Sequence, residues 1–123
     1  MNPLKLIGMK YRLGADPAKH GAVDCLSLCQ TVLASYGLTA PQAERSWYRR
    51  LRKEDYSVFP EQLKLWGKEI LEPRIGTVAL CRSENGGYGL AVYWEYGWLS
   101  ISEARVVKWS PAIALDCVGL YCQ

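Results

Sequence analysis

The sequence predicts an α+β domain, with N-terminal helices packed on a C-terminal antiparallel β-sheet, and three observations lead there. The chain has 123 residues, 50% apolar and 22% charged, enough to enclose one core and too few for two domains. Apolar residues recur at helical spacing before Arg74, whereas short runs rich in Val, Ile, Leu, Trp and Tyr follow it. No repeat or low-complexity tract interrupts either part, so residues 1–123 read as a single domain.

Asn2 and Pro3 suit the cap and start of a short helix through Lys10, since proline loses no hydrogen bond at a first helical position. Tyr11 to Val23 is punctuated by Gly and Pro and reads as a loop. From Asp24 onward, Leu26, Cys29, Leu33 and Tyr36 share a helical face, Asp24 suits the cap and Gly37 the end. The spacing predicts a buried helix over 25–36. A second helix is expected over Pro41 to Lys53, and a third from Pro60 through Ile70, stopped by Pro73. Ile75 to Arg82, Tyr88 to Trp94, Trp98 to Ser102, Arg105 to Trp109 and Ala112 to Tyr121 then read as strands. Asn85-Gly86-Gly87, Tyr96-Gly97 and Ser110-Pro111 separate them, which predicts a meander with the Asp24 helix packed against it.

Lys and Arg total 15 against 12 acidic residues, and a net charge of +3 is too small to mark a nucleic-acid binder without a concentrated patch. Runs such as Val78 to Cys81 and Gly89 to Trp94 fall far short of the ~20 apolar residues that cross a bilayer, so no membrane partner is expected. Met1 to Lys10 lacks the basic flank, apolar run and cleavage site of a secretory signal. Five cysteines, Cys25, Cys29, Cys81, Cys117 and Cys122, are an odd set in a chain large enough to fold without staples, which favours reduced thiols. With no Cys-x-x-Cys pair and His20 as the single histidine, neither a metal nor another cofactor is expected.

Cys25 carries the most pointed chemical signal. In the first turn of the Asp24 helix, unpaired N–H groups favour a thiolate and can hold the oxyanion formed when sulfur attacks a carbonyl. Position alone also fits a small side chain packed at a helix start. Around it, Tyr11-Arg12-Leu13-Gly14-Ala15, Asp24-Cys25-Leu26-Ser27-Leu28, Gly76-Thr77-Val78-Ala79-Leu80 and Leu90-Ala91-Val92-Tyr93 stand in sequence. In that order they resemble the landmarks of the NlpC/P60 family, most of all its phage tail-associated branch. The resemblance spans nearly the whole chain and implies a papain-like fold, with Cys25 as nucleophile and Tyr11 lining the oxyanion site.

The resemblance also implies an impaired site. Counted back from Tyr93, the family's base histidine falls on Gly89, and the third polar member falls near Ser100. Ser27 and Thr77 stand where the family has Gly and Asp. A base contributes about 100- to 10,000-fold in thiol acyl transfer, and glycine supplies none of it. His20, five residues before Cys25, is the one imidazole in the chain able to substitute. Asp116-Cys117-Val118-Gly119-Leu120 copies the nucleophile motif more closely, but the alternation of Ile113, Leu115, Cys117 and Gly119 fits a strand, with no room behind it for a helix. Cys117 and Cys122 are therefore expected as core or strand-end residues.

Arg45, Arg49, Arg50, Arg52 and Lys53, with Trp47 and Tyr48 among them, form a concentrated basic patch, the expected binding surface for an acidic partner. A small domain buries only some of its five Trp and eight Tyr, and exposed Trp, Tyr and Arg anchor interfaces. The first reading is a structural or assembly component of a phage tail or tail tip, docking onto other virion proteins in the virion or in the host cytoplasm during assembly. The alternative is an active cysteine hydrolase cleaving peptide bonds in peptidoglycan, with His20 or a neighbouring subunit giving the base. A nucleic-acid module centred on Arg45 to Lys53 is weaker, because the whole-domain charge is low.

Overall fold

The computed structural model describes residues 2–42, 45–83, 87–112 and 117–123. Asn2 caps a 3-10 turn over Pro3–Leu6, and the expected helix goes no further. The Gly8 N–H donates to the Val107 carbonyl at 2.8 Å and the Val107 N–H to the Met9 carbonyl at 2.9 Å, so these residues bond the sheet edge instead. The expected loop over 11–23 holds more order than its Gly and Pro suggest. β1 (Lys10–Tyr11) and β2 (Ala22–Val23) pair in parallel around a single helical turn, α1 (Pro17–His20), capped by Asp16.

α2 (Cys25–Ser35) forms as expected. The Asp24 carboxylate accepts from the Ser27 N–H at 2.7 Å, and Ser27 Oγ accepts from the Asp24 N–H at 2.9 Å, a reciprocal cap. Leu26, Leu28, Cys29, Val32 and Leu33 are buried, and Gly37, at φ +69°, turns the chain away. α3 (Arg45–Arg52) and α4 (Val58–Trp66) correct the expected spans of 41–53 and 60–70. Residues 43–44 lie outside the described residues. α4 accommodates Pro60 in its first turn, where no intrahelical donor is lost, and ends at Gly67. A Cβ at Gly67 would sit 2.9 Å from the Cys122 carbonyl oxygen. Lys68–Ile70, expected as helix, is instead β3, because Leu120 to Cys122 offer it a strand partner from the far end of the chain.

β4 (Val78–Arg82), β5 (Tyr88–Trp94), β6 (Gly97–Ile101) and β7 (Val107–Ser110) form the expected antiparallel meander. β8 (Cys117–Cys122) departs from it and returns to lie antiparallel between β3 and β4, giving the order β3-β8-β4-β5-β6-β7. β4 explains the return: Val78, Ala79 and Leu80 are buried on alternating faces, and such a strand is satisfied only when paired on both sides. Cys117 opens β8 exposed and Cys122 closes it buried. Asn85 and Gly86 of an expected turn, and Ile113, Leu115 and Asp116 of the last expected strand, lie outside the described residues.

One face of the sheet packs on the helices, with Leu26, Val32, Phe59, Leu80, Val92 and Leu99 in the main core. The opposite face carries a small cluster of Ala79, Ala91 and Trp98. The class is α+β, with helices segregated on a six-stranded antiparallel sheet. Among the described residues no helix is long and apolar enough to cross a membrane.

Asp24→Ala removes the cap and leaves two backbone donors, on Ser27 and Gly14, without their acceptor. The expected loss is about 2–4 kcal/mol, read as a lower urea midpoint at unchanged slope. A loss below about 1 kcal/mol would contradict this account of the helix start.

Candidate functional site

The site begins with Asp24, which is 1% exposed. Beyond its cap, the carboxylate accepts from the Gly14 N–H at 2.8 Å, and the Tyr48 hydroxyl of α3 hydrogen-bonds to it. Burial, reinforced by this carboxylate, pushes the Tyr48 phenol well above its usual range. The loop before α2, the start of α2 and the middle of α3 therefore converge on one anion.

Cys25 follows directly and lines a cleft of about 560 Å³ together with Tyr11, Gly89 and Ser100. The cleft runs from the start of α2 over the face of β5 and β6 that bears Ala91 and Trp98. Four positions singled out by the resemblance, on β1, α2, β5 and β6, thus meet in one place. Tyr11 is held by its N–H to the Arg105 carbonyl at 2.9 Å, and the Arg105 guanidinium lies 4.7 Å from the centre of its ring. Thr77, at the family's Asp position, is fully buried and ties the turn before β4 through both backbone groups of Arg74.

The structure does not bring His20 to this cleft. The ring is exposed on α1, and its Nδ1 accepts from the Asp16 N–H at 2.9 Å, a local bond that fixes it over its own turn. The thiolate expected at a helix N-terminus is also corrected. Burial pushes the Cys25 thiol up to about 12, the Asp24 carboxylate adds to it, and the N–H groups of Leu90, Cys25 and Leu26 offset only part. At neutral pH the thiol is then the dominant form.

The basic patch is split rather than presented as one face. Trp47 is buried in the main core, and Tyr48 turns toward Asp24. Arg50 is engaged by Asp55 at 2.8 Å, by Glu61 at 2.7 Å and by Ser57, and it holds both carboxyl groups below their usual range. Arg45, Arg49, Arg52 and Lys53 remain exposed. The spacing of Trp47 and Leu51, four apart, is the core signal that separates the aromatic side from the cationic one. Arg82, Arg105 and Lys108, which border the cleft, escaped sequence reasoning because strand ends and turns bring them together and no motif marks them.

Among the described residues no group of three or more His, Cys, Asp or Glu is placed to hold a metal ion. In comparison with known proteins, no family model and no curated protein matches the chain.

Iodoacetamide at pH 7 is expected to modify exposed Cys117 first and Cys25 only slowly, with mass spectrometry reading the order. Preferential labelling of Cys25 would mean an activated thiolate and would refute the protonated state described here.

Proposed function

We propose that this protein is a structural or assembly component of a phage tail or tail tip, built on a papain-like, NlpC/P60-like scaffold without a working catalytic site. Gly89 carries the reading. It lines the same cleft as Cys25, Tyr11 and Ser100, at the position where the resemblance implies the base, and the chain's one imidazole bonds elsewhere. Without a base the sulfur stays protonated and no group returns a proton to a leaving amine. What remains is a cleft bordered by Arg52, Arg82, Arg105 and Lys108, chemistry suited to docking on other virion proteins.

Nothing observed favours a peptidoglycan hydrolase, which would need its base from another subunit. Nor does the arrangement favour nucleic acid, since Trp47 and Tyr48 face inward and offer no stacking platform.

Purified peptidoglycan incubated with the protein is expected to release no peptide, and release that Cys25→Ala abolishes would overturn the proposal. A gain-of-function variant checks the missing base. A Cβ at Gly89 meets nothing within 4 Å and the position faces the cleft, so Gly89→His introduces an imidazole there. It is expected to raise the alkylation rate of Cys25 at pH 7 at least tenfold.

A further inference from the structure

We infer that the Cys25 cleft receives an acidic segment of a partner protein in which carboxylates are interspersed with apolar side chains. The inference rests on the docking reading above and names the chemistry of the partner. Four cations border the cleft, each from a different element: Arg52 at the end of α3, Arg82 at the end of β4, Arg105 between β6 and β7, and Lys108 on β7. Among the described residues the salt bridges belong to Arg50, and Arg52, Arg82 and Lys108 have none. Arg105 stacks on Tyr11, which fixes its charge at the rim.

Two acids, Asp24 and Glu54, share the lining, and against four cations they leave an excess of two positive charges. The Asp24 carboxylate is occupied by Gly14, Ser27 and Tyr48, and among the described residues Glu54 forms no ion pair. Like charges gathered round a concave, partly apolar site focus a positive potential there, and an anion relieves their mutual repulsion.

The floor selects among anions. Leu13, Tyr56, Tyr88 and Ile101, each half-buried, line the same cleft, which at about 560 Å³ falls within the range of sites that enclose a ligand. A free phosphate or a nucleic-acid backbone satisfies the cations and leaves that apolar surface wet. A peptide alternating carboxylates with aromatic or aliphatic side chains covers both, since removing apolar surface from water favours its binding. Gly89, on the cleft wall, leaves space for such a side chain, with nothing within 4 Å of where a Cβ would stand.

The probe is a fluorescein-labelled octapeptide of alternating glutamate and tyrosine, titrated with the intact protein and followed by anisotropy. Saturable binding is expected, weakening at least tenfold in the double variant Arg82→Gln/Lys108→Gln and less than twofold in Arg45→Gln/Arg49→Gln on α3. The same peptide with lysine for glutamate, a labelled thymidine oligonucleotide and a peptidoglycan stem peptide are each expected to bind at least tenfold more weakly. Equal losses in the two double variants, tighter binding by any of the three controls, or no saturable binding would overturn the inference. Circular dichroism verifies folding, and Arg52→Gln, at an exposed helix end, gives the same readout should the first double variant unfold. Cleavage of peptidoglycan defeats the docking reading whatever the anisotropy shows, whereas absent peptide binding defeats only the present inference.

Discussion

The Asp24 carboxylate is the interaction on which the rest of the site depends. It closes the start of α2, pins the preceding loop at Gly14 and receives Tyr48 from α3. A buried carboxylate is costly unless hydrogen-bonded, and these three donors bond it. The same arrangement fixes where Cys25 sits, because the cysteine is the first residue of the helix that Asp24 begins.

Placing an anion there has an electrostatic price for its neighbour. A helix N-terminus favours a thiolate by about 0.3–2 kcal/mol, while each tenfold loss of acidity corresponds to about 1.4 kcal/mol. A thiol moved from 9.0 to about 12 lies beyond what the helix end recovers, so burial and Asp24 decide the charge state. An imidazolium nearby would reverse that balance by pairing with the sulfur. The carboxylate that stabilises the fold at this point thus adds to the burial that quiets its nucleophile.

Much of the fold was legible because its signals are local. The Asp24 cap, the period of Leu26, Cys29 and Leu33 and the alternation of β5 each sit within a dozen residues of chain. The failures involve distant partners. Lys68–Ile70 has no intrinsic mark of a strand and becomes one through Leu120 to Cys122, and residues 8–9 leave the helical path for Val107. In the site, order along the chain identified Tyr11, Cys25, Gly89 and Ser100, which the cleft unites. Charge composition misled at α3, because a count of Arg and Trp cannot tell that Trp47 faces the core or that Arg50 is already neutralised. The cations at the rim were invisible for the converse reason: each is an isolated charge until the sheet folds.

The return of β8 to a place between β3 and β4 imposes an order on biogenesis. As the polypeptide leaves the ribosome, β3 through β7 emerge while the slot that joins β3 to the meander is still empty. Until Cys117–Cys122 arrives, β4 exposes one ladder of unpaired amides and β3 lacks its mate. The nascent chain is therefore prone to self-association through those open edges, and completion of the sheet waits on a contact of long sequence separation, which slows folding.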